Sequence, residues 1–545
     1  MTQTTLTGVR RAQGGIAERM FFSPAGLCSI AVSCVYLVVA VGFFNRVGLS
    51  EEAATRTAHL TNLVAGYEQS VLAFGLERPP LPTLLGMLFA TVPEFRPMGL
   101  AVAIGIALTG GLSVAVANGI GRWAGLGSKT HLIFVAAFAF HPLLLISSAS
   151  GMSEALYTTL LLAAFGQLLR WLDRESTTPL ILAGVACGAA FLLRYDVLWI
   201  AAAIALCVYY VALTREVGIE NLERAQATTV AFIVPVAFVV GFWTITAWFA
   251  HGDLLEFVHA AARVSALGAN DASVLAAQAD MRWDPLQTAA WLGLWAVSLT
   301  PLSVLAIVGL AGFGLATADR AALALAGALA SILLPEAASV LSGQGQAHVP
   351  HLIALVIPAY ILVAYIERRR GGGRRPFTYE RGSRRRQLAF CLLLAIGAGA
   401  SIVRLPATPL VDNPVGGVLV AMRANQRPVP PSDVAGAANW IRGNAAAGEV
   451  IIDLERSADV YLATAKPDYF RTPEDKSGPA IIANPEGVAA YILMRRPLPG
   501  AGRGAIERAY PTLWDRGQTG FEVAFEAGDY RIYRVPTPSG ENSRQ

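Results

Sequence analysis

Three short stretches of this chain place carboxylates and cations where they could do proton-transfer or anion chemistry. Glu51 and Glu52 follow Ser50 at the head of a helically spaced run that reaches Tyr67. A carboxylate there can take the proton of an attacking hydroxyl, or it can simply serve a helix whose dipole favours negative charge in its first turn. Arg78 stands beside Glu77 in ERPPLPTLLGMLF, residues 77–89. A guanidinium at a membrane surface is well shaped for a phosphate; it can equally snorkel towards Glu77 or a lipid headgroup. Glu154 opens an apolar run in SSASGMSEALYTT, residues 147–159. Ionisable groups at such depth are expensive and often functional, while capping through Ser153 is the simpler reading.

Two further groups complete the set. Arg194 and Asp196 lie in LLRYD between two short apolar runs, either paired with each other or leaving Arg194 for an anionic ligand. His348 and His351 share one helix face at i, i+3. With Glu77, His251 or His259 they could hold a divalent metal; as plain hydrogen-bonding histidines they need none. No cofactor is required by the sequence, and a divalent metal remains compatible with it.

Placing these residues requires a membrane. The chain has 545 residues, 54% of them hydrophobic and 15% charged, against about 25% charged in soluble domains. Residues 1–404 carry 49 charged side chains and residues 405–545 carry 31, so a long apolar part is followed by a tail of ordinary soluble composition. That excludes a single globular domain and a disordered chain. A net charge of +4, with the densest basic cluster beside an apolar run, excludes the usual nucleic-acid binder. The five cysteines all sit in apolar runs and read as small packing residues, not a disulfide framework.

Eleven apolar runs are candidate membrane spans, near 23–44, 97–118, 131–149, 155–171, 179–193, 197–213, 226–249, 286–309, 321–339, 349–366 and 387–404. The first is too long for a signal-peptide core and reads as an anchor. With residues 1–22 in the cytoplasm, the inner segments carry 19 Arg and Lys and the outer loops 7, as the positive-inside rule requires. The outer side then holds the loops 45–96 and 250–285, the inner side holds the basic loop 367–386, and the odd span count puts the tail outside. The run from Glu51 to Tyr67 could lie along the membrane surface. Pro79 and Pro80 stop any preceding helix, and the run after Pro82 is too short to span. In the tail, 432–444 reads as a capped helix. Residues 449–454, 480–483, 489–494, 521–526 and 530–535 read as strands of a small α/β domain. Only three of the 42 basic residues are lysine, the mark of a high-GC bacterial genome, so the expected location is a bacterial plasma (inner) membrane.

This order of features resembles the GT-C superfamily of membrane glycosyltransferases, which includes the protein O-mannosyltransferases and the lipid A aminoarabinose transferases. The aminoarabinose group carries Asp-Glu, a helix, a glycine and then Lys-Pro-Pro-Leu in its first outer loop. Here the matching residues are Glu51-Glu52, Gly66 and Arg78-Pro79-Pro80-Leu81. Glu154 resembles the family's second outer acidic residue. HVPHLIALVIP resembles its late Arg-Tyr-Leu-Leu-Pro stretch, with His351 where an arginine is common. Glutamate replaces the usual aspartate at Glu51, and arginine replaces lysine at Arg78.

The resemblance implies a polytopic helical enzyme with an extracytoplasmic tail. It would move a sugar, with inversion, from a polyprenyl-phosphate donor to a hydroxyl of a glycan, lipid or protein acceptor. It implies Glu51 as the base with Glu52 as its competitor. Arg78, with Arg194 or His351, would hold the donor phosphate, and Glu154 and His348 would shape the acceptor side. Glu77, His259 and His348 are the candidate metal ligands. Membrane lipids are partners and nucleic acid is not. The rival readings are a transporter or flippase for a lipid-linked or anionic substrate, and a polysaccharide polymerase or ligase.

Overall fold

The computed structural model describes residues 24–46, 50–69, 78–96, 99–174, 176–214, 220–255, 258–259, 281–342, 349–370, 381–404, 431–497 and 503–536. A helix lies at each of the eleven expected spans. They begin with α1 (Pro24–Arg46), then α2 (Glu51–Ala65) and α3 (Pro80–Ala90) in the first loop. There follow α4 (Leu100–Leu108), α5 (Gly110–Trp123), α6 (Ser128–Ala139), α7 (Pro142–Ala149), α8 (Glu154–Arg174), α9 (Thr177–Phe191), α10 (Val197–Thr214) and α11 (Glu220–His251). The later helices are α12 (Pro285–Leu299), α13 (Pro301–Thr317), α14 (Arg320–Ala330), α15 (Leu334–Ser342), α16 (Ile357–Arg370) and α17 (Arg381–Arg404).

Among the described residues six helical stretches are long and apolar enough to cross a membrane, or eight if each of two bent pairs is one span. This falls short of the expected eleven for local reasons. The run 131–149 breaks where Pro142 starts α7, with a 40° bend, and the run 286–309 breaks at Thr300-Pro301, with a 113° bend. Proline cannot donate to the preceding turn and clashes with it. α9 has only 15 residues. The tenth run opens as a 3-10 helix, Val349–Val356, before α16 begins.

The stretch between α1 and α4 departs most from expectation. α2 is enclosed by protein along most of its length. Arg56, Thr57, Ala58, His59, Leu60, Thr61 and Asn62 are all buried, so its sides are covered almost completely. Leu60 joins an apolar cluster with Ala90, Ala101, Val102 and Ile106. Ala58 packs instead among tail residues such as Val434, Tyr461 and Phe470. Ser50 caps the helix, its Oγ accepting from the Ala53 amide at 3.1 Å.

Close backbone approach locks this arrangement. Gly151 has φ +80°, and a Cβ there would meet the Ala53 Cβ at 2.6 Å. Gly151→Ala should therefore destabilise the protein by about 1–3 kcal/mol through overpacking, in addition to the left-handed backbone strain. Gly125 has φ +73° with nothing within 4 Å of such a Cβ, so Gly125→Ala reports the strain alone. Thermal unfolding of the two variants in one detergent separates the terms.

The tail forms a five-stranded sheet in the order β2-β1-β3-β5-β4, with β1 Val450–Ile451, β2 Phe470–Arg471, β3 Tyr491–Arg495, β4 Glu522–Ala527 and β5 Tyr530–Arg534. β1 runs parallel to β2 and β3, while β3 and β4 run antiparallel to β5. The expected helix is α18 (Ser432–Asn444), though its N-cap is Pro431 and makes no side-chain cap. α19 (Leu454–Thr464) follows β1. Residues 480–483, expected as a strand, belong instead to a helix, Gly478–Ala483. Pro479 in its first turn has φ already suited to a helix.

Candidate active site

α2 carries the central carboxylate. Its cap and N-terminal turn put Glu51 and Glu52 side by side in sequence, but their surroundings differ. Glu52 is turned inward: its Oε1 accepts from Arg56 Nε at 2.9 Å and from Ser153 Oγ at 3.1 Å. Arg56 sits one helical turn on, the spacing at which an ion pair forms on one helix face. Burial alone would raise the Glu52 carboxyl, but the charges of Arg56 and Arg78 outweigh it and hold the group below the ordinary carboxylate range. Glu51 faces outward, 57% exposed, with the nearest guanidinium nitrogen of Arg495 in the tail at 3.8 Å.

Arg56 does more than compensate Glu52. It is buried, and its Nη1 donates to the Pro79 carbonyl at 2.7 Å and to Thr83 Oγ1 at 3.1 Å. It thereby ties the carboxylate helix to the turn that carries Arg78 and to the start of α3. Arg78 points towards the tail. Its Nε donates to both oxygens of Glu455, at 3.0 and 3.1 Å, and its Nη2 also donates to Glu455. His59 Nε2 lies 3.0 Å from the same carboxylate. Arg78 and His59 together outweigh burial and keep Glu455 ionised well below the usual range. One turn further along α2, Asn62 donates to Thr472 Oγ1 and Asp475 Oδ1, both at 3.1 Å.

On the other side of Ser153, Glu154 begins α8 and is buried. Its Oε1 lies 4.0 Å from Arg194, and its Oε2 has no hydrogen-bond partner among the described residues. Arg194 also engages Asp196 through Nε and Nη2, lies 3.9 Å from Glu336 on α15, and stacks over Tyr157 at 5.1 Å. Of the alternatives read from LLRYD, the structure has the pair: Arg194 is bonded to Asp196, and it lies near Glu154 as well. Three carboxylates around one guanidinium leave it poorly suited to a further anion.

His259 Nδ1 lies 2.7 Å from Asp253 Oδ2 in an exposed pair. His351 lies in the 3-10 helix Val349–Val356, with its side chain outside the described residues. Glu77 and His348 lie wholly outside them. No group of three or more His, Cys, Asp or Glu side chains that could hold a metal occurs among the described residues.

Sequence reasoning missed Arg56, His59, Glu336 and Glu455. The Glu52–Arg56 spacing was available as a signal. Glu455 had none, since it meets Arg78 across 377 residues of sequence.

No family model and no curated protein matches the sequence. Among solved structures, ArnT from Cupriavidus metallidurans bound to undecaprenyl phosphate aligns at a TM-score of 0.49 and 14% identity, covering 94% of this chain and 98% of that one. Its apo form aligns at 0.49 and 13% over the same shares. The apo oligosaccharyltransferase of Archaeoglobus fulgidus aligns at 0.44 and 12% identity, covering 87% of this chain and 70% of that one.

Proposed function

We propose that the chain is an inverting glycosyltransferase that moves a sugar from a polyprenyl-phosphate donor to an acceptor hydroxyl at the outer face of a bacterial inner membrane. One observation carries the reading: Glu52 and Glu154, each held beside an arginine, are joined through Ser153 and its neighbouring backbone at the ends of two helices. A displacement at a sugar carbon needs a carboxylate to take the acceptor's proton as its oxygen attacks. It also needs positive charge where the bond to phosphate breaks and the phosphate leaves with the electron pair. In this reading Glu52 is the base, because it is ionised, inward-facing and bonded to Ser153. Glu51 stands at the rim. Arg78 meets the donor phosphate, and Arg194 holds Glu154 towards the acceptor side. His351 and His348 keep their sequence-based roles beside the donor and the acceptor. Nothing in the chemistry requires a metal, and a divalent ion is compatible with it.

The purified chain, given polyprenyl-phosphate-linked sugars and a membrane extract, should release polyprenyl phosphate and label a glycan, lipid or protein. Mass analysis of the same three pools in a gene-deletion strain identifies the acceptor. A deletion that alters none of them, together with uptake or flipping of a lipid-linked substrate, would favour the transporter reading. Chain-length changes in a surface polymer would favour a polymerase or ligase.

The topology is part of the proposal. The 19-to-7 basic asymmetry supports an N-terminus inside, and eleven spans would then carry the tail outside. A reporter fused after Gln545 should be active only when it works outside the cytoplasm; cytoplasmic activity would put Glu52 on the wrong side for this donor.

A further inference from the structure

The contact between Arg78 and Glu455 joins the first loop to the tail, and its geometry is asymmetric. Glu455 is buried and takes Arg78 through Nε and Nη2. Nη1 and the outer hydrogen of Nη2 are the donors this carboxylate does not use. The arginine is fixed at both ends. Arg56 holds the carbonyl of the next residue, Pro79, and Glu455 holds the guanidinium. His59 secures the other side of Glu455. A buried carboxylate with two cationic or hydrogen-bonding partners does not readily leave, because each charge stripped of its partner costs several kcal/mol in such surroundings. A competing anion at the same fork would have to meet that cost.

We propose that Glu455 is a positioning residue for the donor phosphate: the tail's carboxylate aims Arg78 so that its Nη1 edge receives the phosphate, making the tail a part of the donor site. This rests on the reading of Arg78 as the phosphate ligand. A bidentate grip fixes the plane of a guanidinium as well as its position, so Arg78 needs no reordering when the anion arrives.

The test is binding of a polyprenyl monophosphate to the full chain in lipid nanodiscs. Arg78→Ala should weaken affinity by roughly 10- to 150-fold, the loss of a charged hydrogen-bond donor. Glu455→Gln and Glu455→Asp should each weaken it by about 2- to 10-fold. The first loses the charge-assisted grip; the second is one methylene too short to reach Arg78 and His59 together. In an Arg78→Ala background neither should have a further effect, because the role runs through Arg78. Asn62→Ala loosens the same seam without touching Arg78 and should leave phosphate affinity unchanged. Tighter binding in Glu455→Gln would mean that the carboxylate competes with phosphate, and would overturn the proposal. So would wild-type affinity in both Glu455 variants, equal losses with and without Arg78, or an equal loss in Asn62→Ala. If Arg78→Ala binds normally, the phosphate assignment itself fails and this proposal with it. If Arg78→Ala is weak while the Glu455 effects are additive, only the positioning role fails.

Discussion

Glu52→Gln should lower turnover by roughly 10²–10⁴-fold, the usual contribution of a positioned general base, while donor binding stays near that of the parent. The substitution preserves size and can still accept from Arg56 and Ser153, which bond Glu52 at 2.9 and 3.1 Å. Glu51→Gln, at an exposed side chain, should lose less than about tenfold. The opposite ranking would return the role to Glu51 and leave the transfer chemistry standing. Normal turnover in both variants and in their double would remove the mechanism from this loop. The same pair has a pH signature. Arg56 and Arg78 hold Glu52 below its ordinary range despite burial, so this carboxylate is already ionised at neutral pH. The acid limb of the turnover profile should lie below about pH 4.3, the value of an unperturbed glutamate. Stability follows the same sign: the ionised pair's contribution is complete above the unfolded value and is lost as pH falls through the lower folded one.

Arg56→Ala should have the largest effect on the fold. The buried guanidinium balances Glu52 and donates to Pro79 and Thr83. Removing it leaves a carboxylate without its partner and cuts the tie between α2 and the Arg78 turn. A loss of about 3–5 kcal/mol is expected, enough to abolish a marginally stable fold. Arg56→Lys should rescue little, because an ammonium cannot make the forked contacts of the guanidinium. Thermal unfolding in detergent and the detergent-soluble yield report the outcome; a full-yield Arg56→Ala protein with parental unfolding temperature would show that the tie is dispensable.

The apolar architecture was legible because it is local. A run such as 226–249 declares a helix by its composition, and α11 contains it. Proline positions were visible as well, and their effects were underestimated at Pro142 and Pro301, where one apolar run becomes two short helices. In the tail, residues 480–483 look like a strand because apolar periodicity cannot be read in four residues, and Pro479 settles them as helix. The site was legible in part. Glu51, Glu52, Arg78, Glu154 and Arg194 stand out because charges are rare among apolar runs. Their partners do not. Glu336 and Glu455 are unremarkable in sequence and matter only because folding brings them to Arg194 and Arg78. Which of Glu51 and Glu52 turns inward depends on what α2 packs against, above all Ser153, 101 residues away in sequence.

That separation has a consequence for how the protein is made. α2 leaves the ribosome early, with Arg56, His59 and Asn62 all destined for burial, but the partners of His59 and Asn62 arrive about 400 residues later. At 5–20 residues per second the interval is roughly 20–80 s. During that time those side chains wait without their partners, while the apolar segments are made behind them. The loop can take its final shape only once Glu455, Thr472 and Asp475 have been made and reach it, so a chain truncated before them would carry every apolar segment and still lack the partners of this helix.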